Sequence, residues 1–327
     1  MTGMVLAVDG GNFKTHLALL APDGALLALA VGPLSSPHQI GVDGCVELLD
    51  GLRREAWLDA GLPADNGAGP AVAQVMLAGA DLPQEEEALH AALTARGWTD
   101  GLTVANDTFA VLRAGTERRW GVALVCGAGI NCVGVAPDGT AARFHSLGLI
   151  SGEWGGGEDV GLAGLAAAAR SQDGRGPRTV LEQTVPAHFG LPTALDVSEA
   201  VHLKEIPRWR LSELAPVVLD AAGADEAADA IANRLVEEAV ALVRVSLDRL
   251  GVLDEPADVV LGGGLFRDPR LLDRVADAIR KIAATAHVIV ANNPPIVGAA
   301  LLGLDQVGAD GEARSRARTE LEARTDG

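Results

Sequence analysis

Short apolar runs alternate with glycine turns in the first part of the chain. Residues 5–8, 16–20 and 25–31 are apolar, and the turns between them read Asp-Gly-Gly-Asn and Pro-Asp-Gly. Proline fixes φ and glycine supplies a positive φ, so this pattern predicts three strands joined by tight hairpins. Helical spacing and continuous apolar runs then predict alternating helices and strands over residues 45–60, 74–79, 83–96 and 101–105. The alternation favours a parallel or mixed sheet covered by helices.

The opening pattern returns in the middle of the chain. Residues 120–125 and 131–135 are apolar on either side of a Cys-Gly-Ala-Gly turn, and an Ala-Pro-Asp-Gly turn follows, as it does after the first pair of strands. A repeat at this spacing suggests two related lobes, because solenoid repeats recur every ~20–50 residues. The remaining chain is predicted to be largely helical, over residues 159–170, 179–189, 211–221, 225–250, 269–283 and 294–304, with short strands at 259–261 and 287–290. Residues 308–327 are charged, and we interpret them as a solvated helix or a disordered tail.

Composition and charge restrict the classes of partner. The 327 residues include 26 Lys and Arg against 44 Asp and Glu, a formal net charge of −18. Such a surface repels nucleic acid and anionic membranes, so we expect neither as a partner. No apolar run approaches the ~18 residues of a membrane span, and the early strand pattern leaves no room for a signal peptide. Three cysteines, an odd number, argue against a disulfide framework and predict a reducing cytoplasm.

The first candidate site is the turn Asp9-Gly10-Gly11-Asn12-Phe13-Lys14-Thr15 between two apolar strands. The paired glycines let backbone amides approach phosphate oxygens, as in an anion-binding nest. Asp9 stands at a strand end where its carboxylate could hold Mg²⁺, while Lys14 and the Thr15 hydroxyl would add a charge and a donor. The alternative is an ordinary hairpin with a glycine turn. The spacing of a P-loop occurs nowhere in the chain.

Two further glycine turns end predicted strands. Gly127-Ala128-Gly129 occupies the repeated position, and Gly262-Gly263-Gly264 follows a late strand. One such turn alone is weak evidence, because any tight bend can use it. Three at strand ends, two of them related by the repeat, point together to a cleft for phosphate and nucleoside between the lobes. Neither turn is the G-x-G-x-x-G fingerprint of a dinucleotide fold.

Asn106-Asp107-Thr108 follows the strand predicted at residues 101–105. Near the open edge of a sheet, Asp107 could accept a proton from a substrate hydroxyl that attacks a phosphoryl group. The alternative is a helix N-cap, a position that aspartate favours because it accepts from free amides. Cys126 and Cys132 lack metal-ligand spacing, and we interpret them as small buried hydrophobic residues.

These motifs resemble those of the actin-like sugar kinase superfamily, and within it the N-acetylglucosamine kinase and BadF/BadG/BcrA/BcrD ATPase family. The resemblance runs over residues 4–304 and rests on VDGGNFKT, ANDTFAVLRAG, CGAGINC, VLGGGLF and NNPPIVGAALLG. It implies an α/β protein of two ribonuclease-H-like lobes, each a mixed sheet flanked by helices, with a cleft between them. It also implies ATP and Mg²⁺ as cofactors, Asp107 as general base and Asp9 as the carboxylate linked to Mg²⁺.

The resemblance further implies which residues bind each ligand. The phosphates would contact both glycine hairpins, through Gly10, Gly11, Asn12, Lys14, Thr15, Gly127, Ala128 and Gly129, and the nucleoside would contact Gly262, Gly263 and Gly264. The sugar would contact two loops and a strand end, through His38, Gln39, Asn106, Asp107, Gly152, Glu153 and Trp154. This chain departs from the family pattern where Pro37-His38-Gln39 replaces Asn-His-Trp, and where Ala128 and Ile130 replace two hydroxyls.

Two interpretations stay open in the second sugar loop. Glu153, Glu158 and Asp159 could accept from sugar hydroxyls, or Glu158 and Asp159 could cap the helix that follows. Trp154 could stack on a sugar face or pack in the hinge between the lobes.

We therefore predict an N-terminal lobe over residues 1–115 and 293–307, a C-terminal lobe with a helical insert over 116–292, and a tail over 308–327. The expected function is ATP-dependent phosphorylation of a sugar or amino-sugar hydroxyl in the cytoplasm, with the sugar as partner and a homodimer as the candidate assembly. Two alternatives remain. One is an ATPase that activates an acyl-CoA dehydratase or reductase through a cysteine-ligated iron–sulfur cluster, and the other is a non-catalytic sugar-sensing regulator.

Overall fold

The computed structural model describes residues 3–62 and 69–325, and the chain divides into two compact units. One unit contains Met1–Arg119 and Ala291–Gly327, and the other contains Trp120–Val290. The first unit is therefore discontinuous, because the chain leaves it once and returns for the last two helices. These divisions lie a few residues from the predicted lobe boundaries after residue 115 and before residue 293.

Strands and helices alternate through both units, as the apolar pattern predicts. The strands are β1 Val5–Gly10, β2 Lys14–Leu20, β3 Leu26–Pro33, β4 Val72–Leu77, β5 Leu102–Asn106, β6 Gly121–Cys126, β7 Ile130–Val135, β8 Ala141–Arg143, β9 Asp258–Gly262 and β10 His287–Val290. The helices are α1 Pro37–Asp59, α2 Pro83–Ala95, α3 Thr108–Gly115, α4 Gly156–Gln172, α5 Leu181–Phe189, α6 Ala194–His202, α7 Ala215–Ala221, α8 Glu226–Arg249, α9 Pro269–Ile282, α10 Pro295–Gln306 and α11 Gly311–Thr325. Across residues 3–62 and 69–325, no helix combines the length and the apolar character that crossing a membrane requires.

The first unit is built on a five-stranded sheet with the order β3-β2-β1-β4-β5. The first three strands form antiparallel hairpins, whereas β4 and β5 run parallel to β1. Both faces of the sheet are apolar and covered: Leu6 and Val8 pack with α1 and α2, and Val5 and Ala7 pack with α10 and α11. Because β1, β4 and β5 are parallel, their carboxyl ends share one edge of the sheet, the usual place for ligands in such folds.

The second unit repeats this topology, which confirms the predicted repeat. Its sheet has the order β10-β9-β6-β7-β8, with β6, β7 and β8 antiparallel and with β9 and β10 parallel to β6. Buried residues from the sheet and from α4 to α9 form one apolar core, in which Leu124, Val243 and Ile279 are fully buried. Two mixed sheets flanked by helices are the fold class predicted from the sequence.

Some element bounds differ from the prediction for local reasons. Helix α1 begins at Pro37 instead of residue 45, and Gly41 breaks its first turn with φ of 74° and ψ of 165°. The helix predicted over residues 211–221 is a 3-10 segment followed by α7, because Pro216 lacks the amide that a continuous helix needs. Helix α6 is absent from the prediction, although its cap is readable: Thr193 Oγ1 accepts from the Asp196 amide.

The charged sequence at the C-terminus predicts a solvated helix or a disordered tail. The segment is a helix, α11, but one side of it packs against the rest of the first unit. Ala313, Ala317 and Leu321 of α11 are buried, and Ala317 and Leu321 belong to the core shared by β1, β2 and α10. These three residues recur every four positions among charged neighbours, so the charged composition concealed an apolar stripe. Residues 326 and 327 of the predicted tail lie outside the described residues.

Helix α11 also covers the outer strand of the first sheet. Glu320 Oε2 accepts from the Leu26 amide of β3 at 2.7 Å, and Arg316 lies 2.8 Å from Asp23 in the preceding turn. An outer strand otherwise presents unpaired amides, which can pair with another chain. The tail thus belongs to the fold of the first unit.

The variant Leu321→Ala tests this packing. Removing a fully buried leucine side chain loses transfer free energy and leaves a cavity, so we expect the unfolding free energy to fall by about 2–5 kcal/mol. The matched control is Leu58→Ala, because Leu58 is 64% exposed on a helix of the same unit. Denaturant unfolding followed by circular dichroism measures both variants, and equal stabilities would contradict the packed tail.

Candidate active site

Three carboxylates lie at the polar edge of the first sheet. Asp9 is the penultimate residue of β1, Asp81 lies in the segment after β4, and Asp107 directly follows β5. The parallel pairing of these three strands brings their carboxyl ends side by side. The predicted general base and the predicted metal ligand are therefore neighbours within one unit, together with a carboxylate that the sequence analysis did not select.

Asp107 is partly buried, and its carboxylate does not cap α3. It stands at the N-cap position with helical dihedral angles and without a side-chain capping hydrogen bond. Burial, followed by the negative charges of Asp9 and Asp81, raises the pKa of Asp107 to about 7. A carboxylate with this pKa exchanges its proton near neutral pH, as a general base must. The structure does not support the alternative that Asp107 is merely a helix cap.

Asn106 supplies the cap and orders the polar edge. It is buried, its Oδ1 accepts from the Thr108 amide at 2.9 Å, and its Nδ2 donates to Asp81 Oδ1 at 2.7 Å. The predicted substrate residue Asn106 thus positions Asp81 against the start of α3. Asp81 is not among the residues selected from the sequence. The pattern that selected Asp107, a polar residue just after a buried strand, also applies to Asp81.

The predicted sugar residue His38 is joined to this edge through α2. His38 Nε2 lies 2.8 Å from Glu85 Oε1, and Glu85 Oε2 accepts from the amides of Asp81 and Leu82 at 3.0 and 2.9 Å. Burial opposes ionisation of Glu85, but the hydrogen bonds from His38 and the two amides hold its pKa below the usual value. In the described part of the chain, one group of three histidine, cysteine, aspartate or glutamate side chains could hold a metal ion. It consists of His38, Asp81 and Glu85, whose donor atoms lie within 4.8 Å of one another.

Close packing beneath the β1–β2 hairpin fixes two of the predicted phosphate-binding residues. A Cβ atom on Gly10 would lie 2.3 Å from Leu77 Cδ2 and from Ser35 Oγ, so a larger residue there would have to displace both side chains. Thr15 is fully buried, and its hydroxyl donates to the Pro33 carbonyl at 2.7 Å and lies 2.8 Å from Ser35 Oγ. Because this hydroxyl proton is used inside the fold, the structure does not support a contact between Thr15 and phosphate.

The tip of the same hairpin is open to solvent. The Gly11 amide closes the turn by donating to the Lys14 carbonyl at 3.0 Å, and the side chains of Asn12 and Lys14 are exposed. Gln39 Nε2 donates to Asn12 Oδ1 at 3.0 Å, which connects the second predicted sugar residue with the first phosphate turn. The exposed Lys14 is therefore the cation that this hairpin offers to an anion.

The β6–β7 turn of the second unit holds the start of α4. The Gly127 amide donates to the Gly129 carbonyl at 2.9 Å, and the amides of Gly157 and Glu158 donate to the carbonyls of Gly127 and Ala128 at 2.8 and 3.0 Å. Ala128 and Gly129 remain exposed. This predicted phosphate turn is thus a fixed support whose tip is accessible.

The third glycine turn ends the neighbouring strand, β9. Gly263 has a φ of 99°, and a Cβ atom there would lie 2.3 Å from the Cys126 carbonyl oxygen. Glycine is therefore required for the close approach of two turns that share one edge of the second sheet. This edge corresponds in topology to the one that carries Asp9 in the first unit.

The structure assigns inward contacts to Glu153 and Trp154. Glu153 is 9% exposed, its Oε1 accepts from the Ser146 amide at 3.0 Å, and its Oε2 accepts from the Ser151 hydroxyl. Trp154 is buried, with the Arg234 guanidinium 4.1 Å from its ring centre. Glu153 therefore stabilises its own loop, and Trp154 is part of the apolar core of the second unit.

The neighbouring predicted residues also serve the backbone. Gly152 adopts a φ of 87°, which a residue with a side chain rarely tolerates. Asp159 Oδ2 accepts from the Gly155 amide at 3.0 Å, and Glu158 pairs with Arg208 at 2.7 Å. The capping alternative thus holds for Asp159, whereas Glu158 forms a surface ion pair.

The three cysteines are free and buried. Burial raises the pKa of the Cys45, Cys126 and Cys132 thiols to about 12. At neutral pH these thiols are protonated, whereas metal and cluster ligation requires thiolates. The interpretation as small hydrophobic residues agrees with this burial.

Comparison with known proteins gives one family and several relatives. The profile of the BadF/BadG/BcrA/BcrD ATPase family matches residues 6–303. An N-acetylmuramic acid/N-acetylglucosamine kinase of Clostridium acetobutylicum is 25% identical over 282 residues, which cover 85% of this chain and 89% of that protein. An N-acetyl-D-glucosamine kinase of Dictyostelium discoideum is 24% identical over 322 residues, 92% of this chain and 97% of that protein.

A solved structure shows the same fold. A candidate N-acetylglucosamine kinase from Chromobacterium violaceum superimposes with a TM-score of 0.71 at 24% sequence identity, covering 92% of this chain and 99% of that chain. The likeness supports the two-lobed sugar kinase fold expected from the sequence motifs.

Replacing Asp81 by asparagine tests the electrostatics of the polar edge. The amide oxygen can still accept from Asn106, but the negative charge that raises the pKa of Asp107 is removed. We expect the midpoint of the Asp107 titration, followed by the carboxyl ¹³C chemical shift in metal-free protein, to move from about 7 to lower pH. The control is Asp100→Asn, which changes the charge equally at the other end of β5. A midpoint that stays in place would contradict the assigned coupling.

Proposed function

The chain belongs to the BadF/BadG/BcrA/BcrD ATPase family, and on this basis we propose that it is an ATP-dependent kinase that phosphorylates a hydroxyl of a sugar or amino sugar. The observation that carries the proposal is Asp107, a partly buried carboxylate at a strand end with a pKa of about 7 and no side-chain capping hydrogen bond. The names of the two curated relatives favour an amino sugar.

Asp107 acts as the general base in this proposal. Its carboxylate accepts the proton of the sugar hydroxyl as the hydroxyl oxygen forms a bond to the γ-phosphorus of ATP. The bond between that phosphorus and the β,γ-bridging oxygen breaks, and ADP leaves with the electron pair. Phosphoryl transfer depends mainly on positioning and on charge stabilisation, so the fixed geometry at the end of β5 matters as much as the base.

The donor set at the polar edge fits Mg²⁺. Carboxylate oxygens are the ligands that this cation prefers, and the repulsion that raises the pKa of Asp107 is what a bound cation would relieve. We assign Asp9 to hold the ion, directly or through water. When bound, the ion supplies positive charge to the phosphoryl oxygens.

Each unit carries glycine turns that we assign to the nucleotide. We assign the phosphates to Gly10, Gly11, Asn12 and Lys14 in the first unit and to Gly127, Ala128 and Gly129 in the second. We assign the nucleoside to Gly262, Gly263 and Gly264. Exposed turns and an exposed lysine support these assignments, and Thr15 serves as an anchor beneath the first turn.

We assign the sugar to the first unit's polar edge. His38 is linked to Asp81 through Glu85. Asn106, which precedes Asp107, donates to Asp81. Gln39 donates to Asn12 in the β1–β2 hairpin. Glu153 and Trp154 shape a loop of the second unit from inside, so we withdraw them as direct sugar contacts. We propose a cytoplasmic location, which the free cysteines support, and a homodimer remains a prediction.

A panel of acceptors tests the function. We expect at least one of N-acetylglucosamine, glucosamine, N-acetylmuramic acid and glucose to increase ADP release from Mg²⁺·ATP far above the rate with water alone, and mass spectrometry to find the phosphorylated sugar. The sugar preference should differ from that of the curated relatives, because Pro37 and Gln39 replace two polar or aromatic contacts of the family pattern. ADP release that is indifferent to every sugar would contradict the kinase.

Replacing Asp107 by asparagine tests the base. The amide keeps the shape but cannot take the proton, so we expect kcat to fall by about 10²–10⁴-fold while nucleotide affinity is retained. Because the folded pKa of about 7 exceeds the ordinary 3.8, ionisation of Asp107 opposes folding. The variant should therefore be more stable than the wild type above pH 7, and this advantage should vanish as the pH falls toward 4.

The control for both readouts is Asp43→Asn, an exposed carboxylate on α1. It should leave kcat and the pH dependence of the thermal midpoint unchanged. Wild-type turnover in the Asp107 variant would exclude the assigned base, and a loss of stability at pH 8 would return Asp107 to a structural role.

A further inference from the structure

His16 is a buried histidine whose ring has an unsatisfied nitrogen. In the described part of the chain its Nδ1 is buried without a hydrogen-bond partner, and the residue is 5% exposed. It lies in β2 directly opposite Asp9 of β1, on a face where the preceding cross-strand pair, Ala7 with Ala18, is apolar and fully buried. A polar ring at this place interrupts an apolar stripe and stands beside a predicted metal ligand.

The distance between the two side chains decides what the unsatisfied nitrogen does. Nδ1 of His16 lies 3.7 Å from Asp9 Oδ2, beyond a hydrogen bond but within reach of one after a small side-chain rotation. A buried donor or acceptor without a hydrogen-bond partner is unfavourable, so we expect this nitrogen to have one. The Asp9 carboxylate is the facing acceptor, and its side chain is 13% exposed.

We propose that His16 is a positioning residue for Asp9: its Nδ1–H donates to Oδ2 and holds the carboxylate in one orientation. This inference rests on the proposed function, which assigns Asp9 to the divalent cation. A carboxylate held at Oδ2 keeps Oδ1 available to the ion or to its water. Partners that orient metal-binding groups in this way typically affect metal affinity by about 10–100-fold.

Three substitutions in the full-length protein separate this role from simple packing. In His16→Asn the amide nitrogen takes the place of Nδ1. His16→Leu has nearly the shape of asparagine and no donor, and His16→Gln moves the amide toward the place of Nε2. We expect the leucine and glutamine variants to bind Mn²⁺ in the presence of ADP about 10–100-fold more weakly than the wild type, and the asparagine variant to retain most of the affinity.

Electron paramagnetic resonance of free Mn²⁺ measures this affinity without any sugar or turnover. Thermal midpoints are recorded for each variant, because a purely structural histidine would change the midpoint and leave the Mn²⁺ affinity unchanged. Nitrogen-15 NMR of the histidine rings, assigned by the signal that His16→Asn removes, should show a proton on Nδ1 of His16 in the wild type.

The outcomes are distinct. Equal Mn²⁺ affinity of the asparagine and glutamine variants overturns the proposal, even if the leucine variant fails to fold. An Nδ1 without a proton also overturns it. Wild-type protein that does not bind Mn²⁺ with ADP overturns the proposed function itself. Normal Mn²⁺ binding with no sugar phosphorylation would refute the kinase and leave the role of His16 intact.

Discussion

Repulsion among carboxylates at the end of three parallel strands is the interaction on which the candidate chemistry depends. The pairing of β1, β4 and β5 brings the strand ends that carry Asp9 and Asp107 side by side, and Asp81 lies near them. Burial, followed by the charges of Asp9 and Asp81, raises the pKa of Asp107 to about 7. Asn106 makes the arrangement tolerable because it donates to Asp81 while capping α3. A cation bound at this edge would lower the pKa of Asp107, which couples loading of the site to readiness of the base.

The two units share a topology and differ in what their corresponding edges carry. In the first unit the edge holds carboxylates and a hydrogen-bonded chain that reaches His38 through Glu85. In the second unit the same edge consists of glycine turns, whose close approach depends on the absence of a side chain at Gly263. In the proposed function, proton transfer and metal binding belong to the first unit alone, whereas both units carry turns assigned to the nucleotide.

Much of this architecture is predictable from the sequence, because hairpins at Asp-Gly and Pro-Asp-Gly turns depend on local backbone preferences. The position of Asp107 at a strand end is also predictable, because the apolar run before it indicates the strand. What escaped prediction depends on partners distant in sequence. The Thr15 hydroxyl donates to the Pro33 carbonyl, and Asp81 accepts a hydrogen bond from Asn106. Helix α11 contacts a strand almost 300 positions earlier. Neither periodicity nor spacing encodes such pairings.

The discontinuity of the first unit has a consequence for synthesis of the protein. One face of its sheet, with Val5 and Ala7, is completed by α10 and α11, which follow the second unit in the chain. The second unit is contiguous and can fold during synthesis while that face is still uncovered. During this interval the nascent chain exposes an apolar sheet surface with an open outer strand, the feature that chaperones bind and that promotes aggregation. Slow translation of α10 and α11 would lengthen the exposure, so expression yield should depend on codon usage in the gene segment that encodes them.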